Sequence, residues 1–305
     1  MLAFIFPGQG SQSAGMGKEL ADNFPVARQV FAEANEAVGF DLAKLCFEGP
    51  DDELKLTANT QPAILTVSIA ALRVLQAETS LQPAYAAGHS LGEYSALVCA
   101  GALSFADAVR TVRLRGTFMQ EAVPVGTGAM AAMLGIERAE LEAICVEAAQ
   151  NEVVSAANFN SPGQIVIAGH AGAVSRAIEI AKGRGYRKAM PLPVSAPFHC
   201  ALMQPAAARL AEVLEKIVVN DLQIPVVSNV EATPNRDGKR IRDLLVAQVC
   251  APVRWEETIL KMAELGVTRC IEIGPGKVLS GLVKRIVKDV EVANLENCTN
   301  LEVLR

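Results

Sequence analysis

Gly88-His89-Ser90-Leu91-Gly92 lies between a short apolar run and a stretch with helical spacing. It fits G-x-S-x-G, in which a serine stands on a cramped strand-to-helix turn with its hydroxyl exposed above a sheet. Glycines at 88 and 92 leave room for that turn, and the following helix aims its first amides at any oxyanion formed there. The plainer alternative is a serine capping a helix in a glycine turn. A nucleophilic serine needs a base, and the chain has three histidines. His89 adjoins Ser90 and should face the other side of the turn as a packed, hydrogen-bonded residue. His170 ends a strand, where a surface or capping role fits. His199 lies in Ser195-Ala196-Pro197-Phe198-His199, a loop where the chain re-enters its larger domain. Sites assemble at such junctions, so by elimination His199 is the candidate base. An ordinary imidazole would titrate at about 6–7 and set an acid limb there. Cys200 reads as a buried, inert thiol, since adjacent side chains seldom converge.

No acid stands within the serine motif, so the group orienting His199 is read as an amide or a backbone carbonyl. A serine–aspartate hydrolase of the patatin type would want Asp-Gly-Gly or Asp-Gly-Ala, whereas Asp237-Gly238 is followed by Lys239. Gly8-Gln9-Gly10 follows the first apolar run but breaks the dinucleotide fingerprint at Ser13. Its glycines suit close backbone approach to a ligand, with the Gln9 and Leu91 amides as paired oxyanion donors; a plain tight turn is the alternative. Gly274-Pro275-Gly276-Lys277 fails the phosphate-loop pattern as well. Arg110, Arg113 and Arg115 share one helical segment. Most such arginines face water, but burial of one without a protein carboxylate would be costly unless a ligand supplied it. The planar guanidinium matches a carboxylate with two hydrogen bonds. Spacing does not choose among the three.

These residues need elements to hold them. Leu2 to Phe6 ends at Pro7-Gly8 and reads as a buried strand. Segments near 24–38, 61–79 and 104–121 carry helical spacing, with Ser104 as an N-cap. Tyr85 to Ala87 is a strand entering Gly88, and Gly92 to Ala100 a helix. Strands alternating with helices point to an α/β fold with a mostly parallel sheet covered on both faces. The pattern changes at Pro124 to Gly128. It then runs strand (Ala129 to Leu134), helix (Arg138 to Ala149), strand (Val153 to Asn158), turn (160–163), strand (Gln164 to Ala168), helix (Ala173 to Gly183) and strand (Arg187 to Leu192). That β-α-β-β-α-β succession is the ferredoxin-like unit. It is placed at 126–194, inserted between residues 1–125 and 195–305 of the larger domain. A helix (Leu202 to Ile217), a strand near 226–228, helices near 239–249 and 255–265, a strand (Arg269 to Ile273) and a final helix (Val278 to Val287) complete the reading.

The 305 residues are 51% hydrophobic and 20% charged, which excludes disorder and fibrous architectures. A formal charge of −5 argues against nucleic acid as the main ligand. Seven scattered cysteines without a CxxC signal neither a disulfide framework nor a zinc site, and a reduced, cytoplasmic setting is expected. The first residues lack a basic lead and do not read as a secretory signal. No apolar stretch approaches a membrane span, so no membrane partner is expected.

Several stretches together resemble one family. They are Phe6 to Gln12, Gly88 to Glu93, Arg113-Leu114-Arg115-Gly116, Ala157 to Gln164, Phe198-His199 and Glu272 to Gly276. In order and without large gaps from residue 4 to about 285, they are similar to the malonyl-CoA:acyl carrier protein transacylases of bacterial fatty-acid synthesis. The resemblance implies an α/β-hydrolase-like large domain with a ferredoxin-like small one. It implies Ser90 as nucleophile, His199 as base, and the Gln9 and Leu91 amides as oxyanion hole. It also implies Arg115 as partner of the malonyl carboxylate, Gln248 as the residue whose carbonyl holds the histidine, and Phe198 as bulk that crowds a methyl-branched acyl group. Malonyl-CoA and acyl carrier protein would be the partners, with coenzyme A and phosphopantetheine entering as substrates, no separate cofactor, and a monomeric enzyme. A serine thioesterase or esterase, which lets water finish the reaction, is the alternative. A non-catalytic acyl-binding protein would form no serine adduct at all. Carrier proteins are typically acidic, so docking needs a basic patch. Lys182, Arg184, Arg187 and Lys188 form the first candidate, and Lys284, Arg285 and Lys288 the second.

Overall fold

The computed structural model describes residues 1–194 and 196–305. Ser195, the expected first residue of the return to the larger domain, lies outside the described residues. The strands in chain order are β1 (Leu2–Phe6), β2 (Tyr85–Gly88), β3 (Gly128–Leu134), β4 (Val154–Ser161), β5 (Gln164–His170), β6 (Lys188–Pro191), β7 (Val226–Val227), β8 (Pro234–Asn235), β9 (Arg269–Ile273) and β10 (Glu291–Leu295).

The larger sheet has the order β10-β9-β1-β2-β7-β8, parallel throughout except for the β7–β8 pair. β1 is central and apolar along its length, as a strand covered on both faces must be. Phe4 and Phe6 join the core on one face of the sheet, Ala3 and Ile5 the core on the other. The long helix Thr57–Glu78 is buried nearly all round, the pattern of a helix inside the protein rather than on its surface. Beside it packs the helix Phe105–Glu121, begun by the Ser104 side chain, which accepts from Asp107 N. Phe6 and Gly88 are register partners, so the loops after β1 and β2 leave the sheet side by side at its carboxyl edge. In open parallel sheets that edge is where ligands bind.

The second sheet is antiparallel in the order β4-β5-β3-β6. The helices Arg138–Ala149 and Ala171–Gly183 cover one face, closing a separate core around Leu141, Ile144, Ile165, Ile167 and Val174. Main-chain bonds join this sheet to the larger body: Phe159 N donates to Val253 O and Val253 N to Ala157 O, each over 2.9 Å. The two bodies are therefore joined beside the cleft by main-chain hydrogen bonds and not by side-chain contacts alone.

Several expectations need correction. The helix Val278–Ile286 is not the last element, since β10 and a helix Cys298–Leu304 follow it. The expected helix from Leu202 is a 3-10 turn, Ala201–Met203, followed by an α-helix, Gln204–Leu214. Asn160 and Ser161 stay in β4, which narrows the expected turn to Pro162-Gly163. Short helices at Lys18–Asn23, Leu42–Glu48 and Asp51–Leu54 were not foreseen. No helix among the described residues is long and apolar enough to cross a membrane.

Candidate active site

Ser90 sits on the turn between β2 and the helix Gly92–Cys99, at a φ of 51°. A non-glycine residue held in the left-handed region is strained and persists only where its surroundings enforce it. Here they do. Asn229, following β7, donates from Nδ2 to Gly88 O and accepts the Ser90 N–H at Oδ1, each over 2.7 Å, clamping the turn from both sides. The turn is also too tight for side chains at its ends. A Cβ on Gly88 would fall 1.9 Å from the Gly92 carbonyl, and one on Gly92 would fall 2.1 Å from Phe6 O.

His199 enters from the loop before the turn Ala201–Met203, itself at a φ of 60°. Its Nε2 is 2.8 Å from Ser90 Oγ, and its Nδ1 is 2.8 Å from Gln248 O. A carbonyl oxygen can only accept, so Nδ1 carries the proton and Nε2 presents its lone pair to the hydroxyl. Burial, reinforced by the positive charge of Arg115, lowers His199 to about 3. The imidazole is thus held neutral, and the ordinary value expected from sequence is corrected downward.

Arg115 is the member of the helical arginine trio that turns inward, at 1% exposure. Arg110 instead pairs with Asp107 at the surface, and Arg113 donates to Ala58 O beneath Phe40. Arg115 donates to Gln61 Oε1 at 2.8 Å, Gln248 Oε1 at 2.9 Å and Ser90 Oγ at 3.1 Å. Its Nε is buried without a partner among the described residues, and the ring of Tyr94 lies 5.7 Å away. Burial lowers its pKa as well, with Tyr94 and Glu93 pulling the other way. Glu93, on the first turn of the helix after Ser90, accepts at Oε2 from Gln248 Nε2 at 2.7 Å and from Asn229 N at 3.0 Å. Burial raises it to about 7 against the pull of those donors and of Arg115.

A cleft of about 570 Å³ opens over these groups, lined by Gln9, Leu91, Met119, Met130, Leu192 and Phe198 besides the polar set. The backbone N–H groups of Gln9 and Leu91 have no acceptor among the described residues. All seven residues singled out in the sequence therefore meet in one place: Ser90, His199, Arg115 and Gln248 as a bonded network, with Gln9, Leu91 and Phe198 on the cleft wall. The other histidines bond elsewhere, although His89 also lines the cleft. His89 Nε2 bonds Asn160 Oδ1 at 2.8 Å and its ring packs near Trp255. His170 Nδ1 accepts from Val153 N. Cys200 is buried, donates to Pro197 O, and is pushed up to about 11 by burial. Sequence reasoning missed Gln61 and Asn229 and gave Glu93 no role. Among the described residues, no three His, Cys, Asp or Glu side chains group as metal ligands.

The basic candidates fare differently. Lys182 pairs with Glu179, and Arg184 pairs with Glu140 and Glu147, so half of the first patch is neutralised locally. In the second, Lys284, Arg285 and Lys288 are exposed, and Arg285 bonds the neutral Gln164.

A serine on a strained turn, a neutral histidine against it and two free amides above the sheet define an α/β protein equipped for acyl chemistry. The family model described as acyl transferase domain matches residues 3–304, and the chain belongs to that family. It is similar to the malonyl CoA-acyl carrier protein transacylase of Escherichia coli (strain K12), at 54% identity over 293 residues covering 96% of this chain and 95% of that protein. The crystal structure of an acyl carrier protein S-malonyltransferase from Vibrio cholerae has a TM-score of 0.98 at 51% identity, covering 100% of this chain and 99% of that one. A malonyl-transacylase solved in complex with a type II PKS acyl-carrier protein has a TM-score of 0.97 at 50% identity, covering 99% and 98%.

Proposed function

We propose that this chain moves a malonyl group from coenzyme A to the phosphopantetheine thiol of acyl carrier protein, by way of a malonyl ester on Ser90. The observation that carries this reading is Arg115: a guanidinium buried against the serine hydroxyl whose protein partners are two neutral amides and that hydroxyl. A buried cation without a direct carboxylate partner is costly, and an acyl group ending in a carboxylate offsets that cost. Relatives bearing the transacylase name at about half identity support the same reading.

In this scheme His199 Nε2 takes the Ser90 proton as Oγ attacks the thioester carbonyl. The tetrahedral oxyanion accepts from the Gln9 and Leu91 amides. His199, held by Gln248 O, returns the proton to the departing coenzyme A sulfur, leaving malonyl-Ser90. The carrier thiol then gives its proton to His199, attacks the ester and leaves with the malonyl group, and Ser90 recovers its proton. The malonyl carboxylate takes the Arg115 fork, and Phe198 crowds a methyl branch at the neighbouring carbon. Coenzyme A and phosphopantetheine are substrates in this scheme, and no resident cofactor takes part. Because one chain supplies every group named, a monomer suffices. All seven cysteines are unpaired, which suits a reducing cytoplasm.

The test is intact mass after mixing with malonyl-CoA. One added malonyl group, absent in Ser90→Ala and lost on adding carrier protein, is expected. An adduct lost equally fast without carrier would favour the thioesterase alternative, and no adduct at all would leave an acyl-binding protein.

A further inference from the structure

Glu93 directly follows the motif that carries Ser90, yet nothing in the acyl-transfer scheme uses it. It is 2% exposed and lies under the site rather than in the cleft. One of its oxygens, Oε2, gathers two donors: the Gln248 side-chain amide and the Asn229 backbone. Those two residues hold everything that reacts. Asn229 clamps the serine turn. Gln248 accepts the His199 Nδ1–H at its carbonyl, donates from Nε2 to Ser90 O at 3.0 Å, and accepts Arg115 at Oε1.

The two ends of the Gln248 amide have opposite needs. Arg115 can only donate, so it needs Oε1 on its side; turned over, the amide would set N–H against N–H. Glu93 accepts at Oε2, whether ionised or protonated on its other oxygen, so it needs Nε2 on its own side. One accepting neighbour and one donor-only neighbour thus lock the amide in a single orientation, and a carboxyl–amide–guanidinium chain runs beneath the serine. Along that chain Glu93 faces Arg115 without touching it, so no protein carboxylate occupies the guanidinium where its edge borders the cleft. A direct Glu–Arg pair would have consumed that edge.

We infer that Glu93 is a positioning residue for recognition of the acyl carboxylate, acting through the Gln248 amide to hold Arg115 ready. The inference rests on the malonyl-transfer reading and concerns selectivity within it.

The experiment compares acylation of Ser90 by malonyl-CoA and by acetyl-CoA, followed by intact mass, in the wild-type chain and in Glu93→Gln. A glutamine at 93 can present either an acceptor or a donor to Gln248, so the lock is lost. The malonyl-over-acetyl rate ratio is expected to fall about tenfold or more, the size of one hydrogen bond to a charged group. Loosened packing alone would slow both acyl groups alike and leave the ratio unchanged, which would overturn the inference. Gln248→Met keeps the carbonyl that holds His199 while removing the amide. It should lower the ratio to a similar extent, and the double variant should fall no further. Independent, multiplying losses in the double variant would also overturn the inference. Should Glu93→Gln fail to fold, the ratio in Gln248→Met decides. Failure of the wild-type chain to take up malonyl at all would instead refute the malonyl reading, so the two failures are distinct.

Discussion

Arg115 Nη2 donates to Ser90 Oγ across 3.1 Å, placing a buried positive charge directly on the candidate nucleophile. The same guanidinium helps to keep His199 neutral. It therefore serves two groups at once, and a ligand carboxylate arriving at Arg115 changes the electrostatics of both.

The first prediction concerns that charge. Arg115→Ala should reduce malonylation of Ser90 by about 100-fold while reducing acetylation far less, since two charge-assisted hydrogen bonds contribute about 3 kcal/mol or more. Arg115→Lys should recover little of the loss, because an ammonium cannot reproduce the planar two-point contact. Single-turnover acylation by intact mass, with both thioesters, checks this. Unchanged malonyl preference in Arg115→Ala would mean that the carboxylate binds elsewhere.

The second concerns pH. His199 is lowered to about 3 by burial and by Arg115, so the neutral base persists as pH falls through 6.5, and acylation should show no histidine limb there. Glu93, raised to about 7 by burial, titrates in that range instead. Any limb near 7 in kcat/KM for malonyl-CoA should therefore disappear in Glu93→Gln; one persisting near 6.5 in that variant would assign ordinary basicity to His199. Stability carries opposite signs for the two groups. The unfolded chain binds the His199 proton more readily between about pH 3 and 6.5, so that group lowers stability as pH falls through this window. Glu93 keeps its proton in the folded state up to about 7, so its contribution is present below 4.5 and lost as pH rises. In urea unfolding, His199→Gln should therefore lose less stability than the wild type between pH 6 and 4, by up to a few kcal/mol.

Much of this site is written locally. The Ser90 turn needs glycines within two residues on either side, a signal readable in five letters, and with three histidines to choose from elimination reaches His199. The ferredoxin-like succession is readable too, because each of its helices follows a short continuous apolar run, Ala129 to Leu134 and Ile165 to Ala168. Gln61 and Asn229 are a different case. An amide has a role here only because the chain brings positions 61, 90, 115, 229 and 248 together, and no spacing encodes that meeting. The depressed His199 value is invisible for the same reason, since burial and the approach of Arg115, its two largest causes, are tertiary. β10 escaped notice because Glu291-Val-Ala-Asn-Leu is a weak strand by composition; it forms by pairing in parallel with β9 along its whole length.

A third prediction addresses the turn. Gly92→Ala would bring a methyl 2.1 Å from Phe6 O, a backbone atom of the central strand that cannot step aside. The expected loss is about 3 kcal/mol or more, in the range of severe overpacking. A lowered unfolding midpoint together with lost acylation checks it. Ser90→Ala leaves the turn's backbone bonds intact and should unfold within about 1 kcal/mol of the wild type, since it removes only a hydroxyl partly open to the cleft. If Gly92→Ala were as stable as the parent, the tightness of the turn would not be what makes glycine necessary there.

The last prediction concerns the carrier protein. A typically acidic partner docking on a chain of net charge −5 needs a local positive field, because like-charged surfaces repel within a Debye length of about 8 Å at physiological salt. Lys182 and Arg184 are held by glutamates, which leaves only Arg187 and Lys188 of the first patch unpaired, whereas all three cations of the second lack a carboxylate partner among the described residues. The helix Val278–Ile286 that presents Lys284 and Arg285 also lends Val278, Leu279 and Leu282 to a groove shared with Gln9 and His89, beside the cleft. Charge and position thus favour the second patch over the first. Lys284→Glu combined with Lys288→Glu should raise the KM for carrier protein about tenfold and steepen no other step, because long-range charge acts mainly on encounter. Formation of malonyl-Ser90 from coenzyme A should proceed at the parent rate. The same reversal at Lys182 and Arg184 should do little to carrier transfer, and if it proved the more damaging of the two, the docking face would lie on the smaller sheet instead.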